Sequence, residues 1–185
     1  VSDQATNFRP HGEVNYMNEN FNVSLPVFTI HGNHDDPTRD GGSTSDSLSA
    51  VDTLACANLV NYFGKADRVD DINIYPILVH KGVNTKVAIY GLGSIRDERL
   101  NRMFAQKKVK FVLPKQDKND WFNIFLIHQN REQKGRGVKN CVPESMLPDF
   151  LDMVVWGHEH ECSIDPVESL KQDYHVMQPG SSVAT

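Results

Sequence analysis

The chain has 185 residues and a formal net charge of −5, a length that suits one domain with a real core. Hydrophobic residues at 39% and charged residues at 23% are ordinary for a soluble globular protein, and no apolar run approaches the ~18 residues that span a bilayer. The negative balance argues against gripping nucleic acid by bulk charge, but leaves room for a local basic face or a site made positive by metal.

Residues 1–24 are polar and irregular, with Phe8, Tyr16 and Phe21 scattered through them, and read as a long surface loop. They lack the charged and apolar regions of a signal peptide. Residues 25–30 (LPVFTI) predict a short buried strand ending at His31-Gly32. A Gly/Ser/Asp-rich connector, residues 37–47, follows. Leu48, Val51, Leu54, Ala55, Leu59 and Tyr62 fall on helical spacing, so a helix is expected over residues 49–63, with Gly64 at its stop.

Residues 72–78 and 87–90 predict strands joined by a hairpin through residues 81–84. Residues 97–105 predict a short charged helix. Residues 122–127 (FNIFLI) predict a strand buried on both faces, 153–156 a second apolar strand and 174–177 a last short one. No internal repeat is present. This mixture points to an α/β sandwich on a mixed sheet. Cys56, Cys141 and Cys162 are odd in number and far apart, which suits reduced thiols in an intracellular protein. Val1 is not an initiator Met, and the chain is read as a piece of a longer one.

Three segments each follow the C-terminal end of an apolar strand: Gly32-Asn33-His34-Asp35, His128-Gln129-Asn130 and Gly157-His158-Glu159-His160. Such strand ends are where α/β sheets build their sites. Imidazoles and an amide oxygen suit borderline transition metals. In an extended chain His158 and His160 point the same way, so each can serve a different ion of a pair. Taken singly, each segment also has a plain reading: GNHD as a turn, His128 as a core histidine, GHEH as a turn or chance metal binder. The three together favour a metal site. His31 reads as a buried supporting or packing residue, and His11, His80 and His175 as surface or strand histidines.

In this order the three segments resemble the last three motifs of the calcineurin-like metallophosphoesterases. Segments 31–38 (HGNHDDPT), 61–65 (NYFGK), 90–104 (YGLGSIRDERLNRMF), 120–131 (DWFNIFLIHQNR), 150–162 (FLDMVVWGHEHEC) and 178–185 (QPGSSVAT) are similar, within that superfamily, to the nuclease subunits of the eukaryotic double-strand-break repair complex. Residues 2–8 (SDQATNF) also resemble the loop before the GNHD strand. The resemblance implies a metallophosphoesterase-type sandwich and a nuclear di-manganese phosphodiesterase acting in double-strand-break repair and meiotic recombination. It would be a 3′-to-5′ exonuclease on duplex ends and an endonuclease on single strands or hairpins. By position, Asn33, His128 and His158 would hold one Mn(2+) ion and His160 would belong to the other. His34 would be the catalytic histidine, held by Asp35. A neutral amide and imidazoles leave such an ion pair positive enough for a phosphodiester, and a histidine is readily poised to assist a leaving oxygen near neutral pH. DNA ends, a homodimeric partner, a coiled-coil ATPase and nibrin are the implied partners.

This chain departs from the family at its beginning. No Asp-x-His precedes residue 31, and no Gly-Asp dipeptide occurs, so one ion's Asp and His ligands and the bridging carboxylate are missing. The first strands of the family's sheet and its capping and ATPase-binding regions are missing too, making residues 1–185 a partial nuclease domain. The isolated chain is therefore expected to be inactive. The connector at 40–47 looks longer than the family's. The helix at 49–63 has two readings, a four-helix dimer interface or plain core packing. The basic stretches 107–118 and 131–139 are solvated loops or phosphate contacts. Residues 1–22 weakly resemble the loop that engages nibrin. Two rival functions stand: another phosphoesterase of the superfamily, or a piece that binds DNA ends or partners without cutting.

Overall fold

Alternation of apolar residues along short strands builds the molecule around one six-stranded sheet. A computed structural model describes residues 7–8, 12–37, 48–117, 119–131, 135 and 137–183. The elements in chain order are β1 (Phe28–Thr29), α1 (Ala50–Cys56), β2 (Asn61–Tyr62), β3 (Ile72–Ile74), β4 (Ile77–Lys81), β5 (Thr85–Leu92), α2 (Asp97–Ala105), β6 (Val109–Phe111), β7 (Phe122–His128), β8 (Met153–Gly157), β9 (Ser163–Glu168) and β10 (His175–Gln178).

The large sheet has the order β4-β5-β7-β8-β10-β9. Its middle strands β5, β7, β8 and β10 run parallel, while β4 and β9 are antiparallel at the edges. Two parallel two-stranded pairs, β1–β2 and β3–β6, flank it. One face of the sheet carries Tyr90, Phe125, Ile127, Val154 and Trp156 into a core closed by Leu100 and Met103 of α2 and by Ile72 and Ile74 of β3. The opposite face carries Ile77, Val79, Ile89 and Leu126 against Phe28 and Phe63 of the β1–β2 layer. This is the expected α/β sandwich on mixed sheets. In β7 the burial alternates, Asn123, Phe125 and Ile127 being the buried set, so its two faces are covered unequally.

The helix expected over 49–63 is shorter, ending at Cys56. Its start is as the sequence implies: Ser49 Oγ accepts from Val51 N–H (3.0 Å) and Asp52 returns the favour to Ser49 N–H (2.6 Å). Its end is a Schellman closure. Asn58 takes a left-handed φ of 56°, its N–H donates to Ala55 O, and Leu59 N–H donates to Leu54 O. The chain then extends, and Tyr62, expected on a helix face, lies in β2 instead.

The expected strand over 72–78 is two strands in different sheets. The chain leaves β3 through Tyr75-Pro76, and Pro76 has no N–H for a ladder. The hairpin between β4 and β5 stands where expected, and α2 has the bounds read from sequence. β6 lies inside the stretch read as a basic loop, because its Val-Lys-Phe alternation is only three residues long. The stretch 1–24 is not wholly superficial: Phe8 and Val14 are buried, and Asn15 interlocks with Asn61 through two hydrogen bonds of 2.7 and 2.9 Å. Most of the connector at 37–47, and residues 132–134 and 136 of the second basic stretch, lie outside the described residues. Among the described residues no helix is long and apolar enough to cross a membrane.

Candidate metal centre

Parallel register brings the strand ends level. Leu92 pairs with Ile127 and Ile127 with Trp156, so His128 comes opposite Gly157 and the turn to His158 begins beside it. The chain leaving β1 arrives on the same side, because Gly93 N–H and Ser94 N–H, just beyond β5, donate to Gly64 O and His31 O.

There Asn33, His128 and His158 meet. The Asn33 carboxamide oxygen lies 3.0 Å from His128 Nε2 and 3.2 Å from His158 Nδ1, and the two imidazole centroids are 5.0 Å apart. An amide oxygen accepts, so in this arrangement both ring nitrogens donate to it. Without their protons, the same three atoms are a donor set of the kind Mn, Fe or Zn takes. His128 disfavours its charged, doubly protonated form. Burial first, and then the neighbouring His158 and His31, push its pKa down to about 4, so the ring is neutral at pH 7.

The cradle is made by glycines. A Cβ on Gly32 would come 2.9 Å from His128 Cε1, and one on Gly157 would come 2.9 Å from His128 Nδ1. His158 itself has a φ of 78°, a left-handed conformation unusual for a side chain of its size and one that gathers at functional sites.

His31 supports the loop from behind, in agreement with the supporting role expected for it. It is only 4% exposed, with Tyr62 O–H donating to Nδ1 (2.8 Å) and Nε2 facing Ser94 O (3.3 Å). A carbonyl only accepts, so the ring is the Nε2–H tautomer, and burial lowers its pKa. Its ring lies against Gly93, where a Cβ would sit 2.0 Å from Cε1. Gly93→Ala is therefore expected to destabilise the protein by about 1–3 kcal/mol, since the anchored ring has no room to give. A urea midpoint equal to that of the parent protein would refute this.

The other expected site residues, His34, Asp35 and His160, make no described hydrogen bond with these three. His34 is exposed, close enough to His128 for its charge to be felt there. Among the described residues no hydrogen bond joins it to Asp35, whose N–H instead closes a turn onto Gly32 O (3.2 Å). His160 is exposed, and no described hydrogen bond or ring contact ties its side chain to Asn33, His128 or His158. No group of three or more His, Cys, Asp or Glu side chains among the described residues is arranged to hold an ion. The convergent set is two histidines and an amide. These donors fit a transition metal in kind, and they would make up only part of a coordination sphere.

Sequence reasoning passed over the polar groups that brace these loops. Asp97 at the start of α2 accepts from Asn130 N–H (3.2 Å) and Nδ2–H (2.7 Å), fixing the chain two residues beyond His128. Arg131 donates through Nε to Glu144 Oε1 (2.8 Å) and stands over the Trp156 ring at 5.9 Å. Burial alone would raise the Glu144 carboxyl, but the Ser169 hydroxyl and Arg131 outweigh it and hold its pKa below the usual value. The signal available was slight: Arg131 directly follows the HQN segment, whereas Asp97 and Glu144 lie far from either segment in the sequence.

Comparison with known proteins bears on this geometry. Residues 5–162 match the model of the calcineurin-like phosphoesterase family. The chain is 53% identical over 187 residues to the double-strand break repair protein MRE11 of Mus musculus, and equally so to that of Homo sapiens. It is 54% identical over 195 residues to MRE11 of Arabidopsis thaliana. Each match covers all of this chain but only about a quarter of the relative, 25% for the two mammalian proteins and 26% for the plant one.

Proposed function

The chain belongs to the calcineurin-like phosphoesterase family, and from that premise we propose that it is part of a manganese-dependent DNA nuclease of double-strand-break repair and meiotic recombination. The observation that carries the reading is the convergence of Asn33 Oδ1 with His128 Nε2 and His158 Nδ1 at the carboxyl ends of parallel strands. The similarity to MRE11 along the whole chain supports DNA as the substrate. The activities proposed are 3′-to-5′ exonuclease action on duplex ends and endonuclease action on single strands, in the nucleus.

In this reading Asn33, His128 and His158 hold one ion, and His160 contributes to a second. Bound metal supplies positive charge for the phosphate and an activated water. The neutral imidazoles and the amide add no negative charge to repel a phosphodiester. His34, exposed beside the convergent set, faces the substrate and holds or delivers a proton at the leaving oxygen. Asp35, next in the chain, is proposed to set its tautomer once substrate is bound. Residues 1–185 are then one stretch of the nuclease domain, with further ligands supplied by other parts of the complete protein. The test is cleavage of an end-labelled duplex by the complete protein with and without manganese. Cleavage that persists after chelation and dialysis, or is unchanged in His128→Asn, would overturn the reading.

The partners proposed are DNA ends, a second copy of the protein, a coiled-coil ATPase and nibrin. Self-association has a structural motive: Leu48, Leu54 and Leu59, around the short α1, are 80%, 45% and 63% exposed. Burying such side chains against a partner is favourable by ~25 cal/mol per Å2. In the complete protein Leu59→Asp is expected to weaken the dimer while changing folding stability by less than about 0.5 kcal/mol, because Leu59 is outside the core. Sedimentation of the mutant as an unchanged dimer would refute this.

A further inference from the structure

We propose that Glu159 is a positioning residue for the metal-holding histidines, acting through the backbone of Arg131; the inference rests on the metal reading above. Glu159 lies between His158 and His160, yet it is 7% exposed whereas His160 is open to solvent. Burying a carboxylate is costly unless it is hydrogen-bonded. Its Oε1 accepts from Arg131 N–H at 2.9 Å. Arg131 is three residues beyond His128, so this one bond joins the loop after β8 to the loop after β7.

A second tie holds the far side of the same loop. Gln178, at the end of β10, donates through Nε2 to Glu161 O at 2.7 Å, and its Oε1 accepts from Arg131 Nη1 at 3.3 Å. Arg131 is therefore gripped at both ends, by Glu159 through its backbone and by Gln178 and Glu144 through its guanidinium. Just before these ties in the chain, His158 keeps its φ of 78°. A conformation of that kind persists only where its surroundings over-determine it. The Glu159–Arg131 bond is such a constraint, one residue from His158, and it directs the His158 ring toward Asn33 and His128. No described hydrogen bond joins Glu159 to any of the three donor atoms, and the mechanism above uses it in no step.

The test is a titration of the complete protein with manganese alone, following the free ion by electron paramagnetic resonance, with melting and duplex cleavage measured alongside. Glu159→Ala is expected to raise the manganese concentration for half-occupancy by about 10- to 100-fold, the usual consequence of losing a partner behind a metal ligand. Cleavage should return at saturating manganese. Glu159→Gln keeps an oxygen that accepts from Arg131 N–H, and should bind manganese like the parent. A purely structural role would lower the melting temperature and the amount of active protein without moving the manganese midpoint. An unmoved midpoint in Glu159→Ala overturns the proposal. So do equal shifts in Glu159→Ala and Glu159→Gln, because charge and not the hydrogen bond would then be responsible. If Glu159→Ala fails to fold, Glu159→Asp, whose carboxylate is drawn back from Arg131, decides: a raised midpoint supports the role and an unchanged one overturns it. A parent protein that takes up no manganese, or a His158→Asn variant that takes it up undiminished, overturns the metal reading itself, an outcome separate from these.

Discussion

In the complete protein, His34→Asn is expected to keep manganese uptake and DNA binding and to lose cleavage by about 100- to 10,000-fold, the typical cost of removing a positioned acid or base. His34 is exposed beside the convergent donors, and no described hydrogen bond joins it to them. Asparagine keeps much of its size and some hydrogen bonding, but it cannot carry a proton between substrate and solvent. His158→Asn should fail in a different way. Its Nδ1 lies 3.2 Å from Asn33 Oδ1, within the donor set, so the loss should fall first on metal occupancy and only then on rate. Excess manganese should partly restore His158→Asn and leave His34→Asn inactive. Titrating manganese against cleavage rate for both variants separates the two roles. Rescue of His34→Asn by metal, without rescue of His158→Asn, would show the roles to be reversed.

The second large effect is expected of the 185 residues on their own. Purified as a separate polypeptide they should show no manganese-dependent cleavage of a labelled duplex. Asn33, His128 and His158 converge, but no Gly-Asp motif provides a carboxylate to bridge two ions. Two cations held without that carboxylate would repel each other with little between them to screen the charge. Three neutral donors also bind a divalent cation more weakly than a set containing carboxylates. Counting bound manganese per polypeptide, beside the complete protein, gives the reason directly: fewer ions per chain in the short form. Cleavage by the 185 residues, free of contaminating nuclease, would refute the expectation.

What was legible in the sequence was local. The short apolar runs of β7 and β8 and the Gly, Asn and His residues after them declared strand ends carrying ligand-type side chains. The bounds of α2 were readable because Leu100, Met103 and Phe104 mark one buried face and acidic residues open its first turn. The stop of α1 was written in Asn58, since asparagine tolerates the left-handed conformation found there, but apolar residues continuing at helical spacing concealed it. β6 was hidden by Lys110 within it and by Lys107 and Lys108 before it, because its pairing with β3 outweighs the weak preference of so short a segment.

What only the tertiary structure decided is which of these residues meet. Asn33 and His158 are separated by 125 positions, Tyr62 and His31 by 31, Glu159 and Arg131 by 28, and Gln178 and Arg131 by 47. No periodicity or spacing rule reaches that far, since a sequence pattern reports the face a side chain takes on its own element. The register of β5, β7 and β8 set the strand ends level, and the packing of the β1–β2 layer on the sheet carried Asn33 to them. The sequence by itself determined the chemistry available at the strand ends. Strand register and core packing determined that Asn33, His128 and His158 converge, because those long-range contacts are what fix one loop against another.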